Sequence, residues 1–155
     1  MKQPDSIDKK LLTLIQEDSK LTHKQLALKL NLSVTAIYER IKRLERTGMI
    51  AGYVAVVDKK KAERGFVALC QIKLTQHVKE YLYEFEKEVV KLDEVMECYH
   101  ISGEHDYLLK ICVKDMESYR EFMVSKLTSL KYIGSTQSSF VINEVKNTRV
   151  LHFLE

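Results

Sequence analysis

The sequence contains no run of about 18 consecutive apolar residues, the length a helix needs to cross a membrane, so no membrane span is expected. Residues Met1 to Lys10 are polar and charged and lack the apolar core of a secretory signal, which points to the cytoplasm. There is no Cys-x-x-Cys or His-x-x-x-His pair, so the chain is expected to hold no metal and no cofactor. Cysteine is scarce. Cys70, Cys98 and Cys112 are odd in number, far apart and set in apolar stretches, and they read as buried free thiols.

What is present is apolar material enough for a packed core: 45% of 155 residues, a length that suits one large or two small domains. Charge is unevenly spread. Residues 1–64 carry 14 Lys/Arg against 8 Asp/Glu, net +6, and residues 65–155 carry 11 against 14, net −3. A basic first part beside an acidic remainder suggests a polyanion partner for the first part alone.

Residues 7 to 46 read as three helices. Ile7, Leu11, Leu14 and Ile15 follow the helical period, with Asp5 or Ser6 as the cap. Thr22 and Gln25 form a capping box for the second helix, and Leu21 faces Leu26 across the entry. That helix ends near Lys29 or Leu30, and Asn31 tolerates the left-handed conformation that leaves it. Ser33 caps the third helix, Leu32 staples to Ile37, and Gly48 ends it. Val34, Ile37, Ile41 and Leu44 make its apolar stripe. Residues 50–57 read as an exit strand, and the charged run Asp58 to Arg64 as a linker.

Two helices joined by about three residues match a DNA-binding helix-turn-helix, in which the second helix enters the major groove. Off its apolar stripe lie Thr35, Ala36, Tyr38, Glu39, Arg40, Lys42 and Arg43. Ser33, Thr35 and Ala36 sit where base edges are met. Arg40 or Arg43 suits a bidentate guanine contact; Lys42 and Arg46 suit phosphates. An ordinary three-helix bundle with a solvated basic face carries the same caps and stripe.

The remainder alternates strand and helix: Phe66–Thr75, helix Val78–Leu92, strands Val95–Ser102 and Asp106–Lys114, helix Met116–Leu130, and a last strand Gly134–Val145. The order β-α-β-β-α-β is the split βαβ, ferredoxin-like unit, with both helices on one sheet face. The opposite strand face still carries Val67, Leu69, Leu108 and Cys112, which predicts that it meets another subunit. The fold class is thus α+β, a winged helix-turn-helix at 1–57, a linker at 58–65 and a ferredoxin-like domain at 66–155.

The stretch S-V-T-A-I-Y-E-R-I-K-R-L-E-R-T-G at 33–48, followed by M-I-A-G-Y, resembles the recognition helix and exit strand of the leucine-responsive/asparagine-type (Lrp/AsnC, feast/famine) transcription regulators. E-C-Y-H-I-S-G-E-H-D-Y-L-L at 97–109 resembles that family's effector loop, and T-Q-S-S-F-V-I-N-E-V-K at 136–146 its last strand. The resemblance runs over about residues 7–155. It implies a regulator that binds double-stranded DNA as a dimer paired through the sheet faces, with octamers or other rings built from dimers. It further implies a free amino acid as effector, held by Ser102, Gly103, Glu104, His105 and Asp106 with Thr136 and Ser138. The side-chain preference is open; resemblance to the leucine-responsive members points to an aliphatic one. Glu104 and His105 depart from the Asp and aromatic that other members more often carry. Within the loop, free backbone amides suit a carboxylate and Asp106 an ammonium group, although a tight hairpin turn needs Gly and Asp for geometry alone.

Two other functions compete. Sirohaem decarboxylases resemble the same fold, and His100, His105, Tyr99 and Arg120 are the residues such an enzyme would draw on. No nucleophile–base pair stands at recognisable spacing, so a non-enzymatic protein is expected. Ferredoxin-like sheets also stack RNA bases, but this part of the chain is acidic and lacks a basic rim.

Overall fold

The computed structural model describes residues 3–153. The chain forms two compact units, Met1–Val56 with Lys146–Glu155, and Val57–Val145.

The first unit is a three-helix bundle: α1 (Ser6–Glu17), α2 (His23–Leu30) and α3 (Val34–Arg46). Asp5 is the cap of α1, accepting from the Asp8 amide while the Asp8 carboxylate accepts from the Asp5 amide. Thr22 and Gln25 form the expected capping box on α2. Asn31 adopts the left-handed conformation, φ 53°, which turns the chain within three residues into α3, capped by Ser33. Gly48, φ 73°, lets the chain leave α3. Leu11, Leu12, Leu26, Ala27, Ile37, Ile41 and Leu44 make the core. Four residues of the expected stripes fall outside it: Leu14 and Ile15 pack against it partly buried, Val34, in the first turn of α3, is exposed, and Ile7 is half-buried beside a buried Asp8.

Residues 50–57 form no strand. Val54 is 73% and Val56 76% exposed, and among the described residues no segment pairs with them. A ladder needs a partner for its amides and carbonyls, and the described residues supply none there.

The second unit contains β1 (Phe66–Leu74), α4 (Lys79–Val89), β2 (Val95–His100), β3 (Tyr107–Val113), α5 (Met116–Ser125) and β4 (Ile133–Phe140). The antiparallel sheet has the order β2-β3-β1-β4, the ferredoxin-like arrangement. Ala68, Cys70, Ile72 and Leu74 of β1 and Tyr107, Leu109, Ile111 and Val113 of β3 alternate onto the face that packs Phe85, Val89, Tyr119 and Phe122 of the helices. Both helices therefore cover one face. The fifth helix is shorter than its apolar period suggests, because a 3-10 turn, Leu127–Ser129, tightens the chain before β4.

The expected linker is a compact turn of this second unit. The Asp58 carboxylate accepts the Lys60 and Lys61 amides, and Glu63 sits at φ 54°. The last strand stops at Phe140, short of the expected Val145. The tail, expected in the second domain, belongs to the first unit: Gln16 Nε2 donates to the Leu151 carbonyl and Gln16 Oε1 accepts the Leu151 amide, at 3.1 and 2.8 Å, and Phe153 packs on the first core.

Candidate functional site

Helix α3 sorts its side chains by phase. Ile37, Ile41 and Leu44 point inward, so the opposite row at 3.6 residues per turn is Thr35, Glu39, Lys42 and Arg46, all exposed. Lys42 pairs with Glu45 at 3.0 Å, and Glu45 also accepts the Tyr53 hydroxyl. Lys42 and then Tyr53 hold the Glu45 carboxyl below its ordinary range, and Glu45 raises Lys42. Tyr38 stands on one flank, edge-on to His23 at 5.7 Å between centroids. Arg46 enters no ion pair among the described residues. Ser33 is exposed and Ala36 half-buried at the N-terminal end.

Arg40 and Arg43 lie on the other flank, and the structure gives them partners that sequence reasoning missed. Arg40 Nη1 reaches Asp8 Oδ1 at 2.7 Å and Asp5 Oδ2 at 2.8 Å, and Arg43 Nη2 binds Asp8 Oδ2. The expectation of a free guanidinium reaching guanine from position 40 or 43 is thus met by two arginines already engaged. Arg40, then the Asp8 amide, holds the Asp5 carboxyl down, while Asp5 and Asp8 raise Arg40. The signal existed in the sequence: Asp8 stands in phase with Leu11, Leu12 and Ile15, a carboxylate on an apolar stripe.

The β2–β3 loop carries the second group of expected residues. Ser102, Gly103 and Glu104 are exposed and His105 is half-buried; Gly103 sits at φ 126°. The amides of residues 102–105 donate to no group of the chain among the described residues. Asp106 is built into the sheet end. Its amide donates to the Ile72 carbonyl at 2.8 Å, its Oδ2 accepts the Leu74 amide at 2.7 Å, and its Oδ1 meets His77 Nδ1 at 2.7 Å. Burial raises the Asp106 carboxyl, but the Leu74 amide and His77 outweigh it, and the group lies below its ordinary value. Each carboxylate oxygen keeps a lone pair for one more donor.

Thr136 pairs with Ile72 on the far side of β1, so two strand spacings, about 10 Å, separate it from the Asp106 edge. Ser138 lies further in, and its hydroxyl is taken by the Tyr119 hydroxyl at 2.6 Å. The structure thus sets Ser138 against α5, with Tyr119 rather than with the loop. His77, which the sequence reading did not single out, joins the loop instead. Beside it, His100 stacks on Tyr107 at 4.8 Å, and the Tyr107 hydroxyl donates to Glu86 at 2.8 Å.

Of the residues of the decarboxylase reading, the Tyr99 hydroxyl donates to Glu97 at 2.8 Å, His100 stacks on Tyr107, and Arg120 pairs with Glu117 on an exposed helix face. All three cysteines are free thiols, and burial pushes Cys98 up to about 11. No helix among the described residues is long and apolar enough to cross a membrane.

Comparison with known proteins agrees with this layout. A family model described as winged helix-turn-helix DNA-binding matches residues 4–51, and one described as the Lrp/AsnC ligand binding domain matches residues 67–151. The DNA-binding transcriptional activator DecR of Escherichia coli is 37% identical, over 95% of this chain and 97% of its own. The leucine-responsive regulatory protein of the same species is 34% identical, over 97% and 92%. A transcriptional regulator of Neisseria meningitidis, solved as a complex with L-Met, superposes with a TM-score of 0.91 at 32% identity and 96% coverage of each chain.

Proposed function

The chain belongs to the Lrp/AsnC family of DNA-binding transcription regulators, and from that membership we propose that it acts in the cytoplasm as a dimer whose α3 helices read the major groove under control of a free amino acid. The observation that carries the reading is the exposed row Thr35, Glu39, Lys42 and Arg46 on a capped helix that follows a three-residue turn. In this reading Thr35 and Glu39 meet base edges, and Lys42 and Arg46 meet phosphates. Ser33, Ala36 and Tyr38 border the same row.

The effector reading rests on the amides of residues 102–105, which donate to no group among the described residues and lie next to a carboxylate. A turn of this kind holds the carboxylate of an amino acid, and Asp106 takes its ammonium as a third partner. Thr136 borders the same sheet end. The regulator solved with L-Met supports an amino acid as the ligand class. The dimer reading rests on two apolar surfaces, the helix-free sheet face around Leu69 and Leu108 and the unpaired segment 50–57.

Genome-wide mapping of bound DNA tests the first part: recurrence of one two-fold sequence motif at promoters is the expected result. Calorimetric titration with each of the twenty amino acids, with and without that DNA, tests the second. Absence of binding at millimolar concentration would make the loop a turn and nothing more.

A further inference from the structure

Among the described residues Asp8 is the charged side chain that folding buries: 2% of it is exposed. An ionised carboxylate taken out of water needs close opposite charge and donors on both oxygens. Both come from the recognition helix. Asp8 Oδ1 accepts from Arg40 at 2.7 Å, Oδ2 from Arg43, and Asp5 adds a second contact to Arg40 at 2.8 Å. Arg40 and Arg43 share a shallow open depression with Glu39, Lys42 and Arg46, the surface that faces DNA in the reading above. Of the four basic residues there, Arg40 and Arg43 pair with Asp5 and Asp8 and Lys42 pairs with Glu45, while Arg46 enters no ion pair among the described residues. Three of the four cations of the recognition surface thus have acidic partners in a part of the chain that is net basic.

Resting on the assignment of α3 to the major groove, we propose that Asp8, assisted by Asp5, is a specificity-determining positioning residue that withholds Arg40 and Arg43 from the phosphates of arbitrary DNA. Non-specific affinity grows with the number of phosphates that lysine and arginine neutralise, and every such contact adds about 0.9 to the slope of log affinity against log salt. Two arginines tied to a buried carboxylate add little to that count. Contacts that depend on sequence, made by the outward row, then carry a larger share of the binding.

The test compares the full-length protein with Asp8→Asn, which keeps the shape of the side chain and removes its charge. Fluorescence anisotropy is measured on two duplexes, one of mixed sequence and one recovered by in vitro selection with the unmodified protein, between about 50 and 200 mM salt. The freed arginines should steepen the salt slope on the mixed duplex by about one to two, and raise affinity for it by threefold or more at the low-salt end. Affinity for the selected duplex should rise less, so the ratio of the two falls. A purely structural role for Asp8 lowers binding to both duplexes by one factor and leaves the slopes alone; that result overturns the proposal.

Should Asp8→Asn fail to fold, Asp5→Asn decides. Asparagine caps a helix as well as aspartate does, and Asp5 is half-exposed and touches Arg40 alone of the two arginines. Its expected slope change is up to about one, and an unchanged slope overturns the proposal. If the unmodified protein binds neither duplex, the assignment of α3 to DNA fails and this inference with it; if it binds with clear preference and the slopes coincide, this inference alone fails.

Discussion

His77 Nδ1 lies 2.7 Å from Asp106 Oδ1, so the loop entering α4 is bonded to the end of the β2–β3 loop. The second oxygen of the same carboxylate accepts the Leu74 amide. One side chain thus joins three segments of the sheet end, and a ligand that draws on Asp106 acts on the β1–α4 connection as well as on its own loop. A ligand shifts an equilibrium through such differential contacts.

Asp106→Ala should abolish the response to the effector while DNA binding by the ligand-free protein is kept. Gel-shift titration with and without the amino acid found by calorimetry checks this. Loss of DNA binding in the free variant would assign Asp106 a role in folding instead.

The Asp106 carboxyl is held below its ordinary value, with burial opposing and the Leu74 amide and His77 prevailing. A depressed carboxyl contributes stability above its unfolded value, about 3.9, and that stability is lost as pH falls through the folded value. Asp106→Asn should therefore melt below the unmodified protein at pH 7. The gap in melting temperature should close as pH approaches 3. A gap that is constant with pH removes the ionised carboxylate from the explanation.

Arg46, at the end of the outward row of α3, enters no ion pair among the described residues. Arg46→Ala should weaken binding to specific and non-specific duplexes alike and make the salt slope shallower by about one. A change confined to the specific duplex would show Arg46 reading a base.

Thr22 accepts the Gln25 amide, and the Gln25 side chain accepts the Thr22 amide. Removing the cap with Thr22→Ala should cost about 1 kcal/mol. The helical unit should melt several degrees lower in circular dichroism, with the salt slope of DNA binding unchanged.

Leu69 lies on the helix-free face of β1, 36% exposed. Light scattering on the unmodified protein should give at least twice the 18.1 kDa of one chain. Leu69→Glu puts a charge on that face and should shift the mass toward one chain. A monomer at micromolar concentration before substitution would rule out the face as an interface between copies.

What the sequence determined by itself is what neighbouring residues decide. The Thr22–Gln25 box, the left-handed Asn31, the Ser33 cap and the Gly48 exit each depend on positions within four residues of one another, and all are present. The same holds for the alternation of β1 and β3, and hence for the βαββαβ order and the side on which the helices lie. The signatures at 33–48 and 97–109 are contiguous, so the family was legible before any coordinate. What the tertiary structure decided involves segments far apart in the chain. Arg40 and Arg43 look like free cations until Asp8, 32 and 35 residues earlier, is folded against them. Asp106 looks like an open acceptor until Leu74 and His77 reach it, and Gln16 reveals nothing of Leu151, 135 residues away. Residues 50–57 have the composition of a strand, but a strand exists only where a second backbone meets it. Composition and period state what a side chain prefers; which group of opposite charge or free hydrogen bond it meets is set by the packing of distant elements.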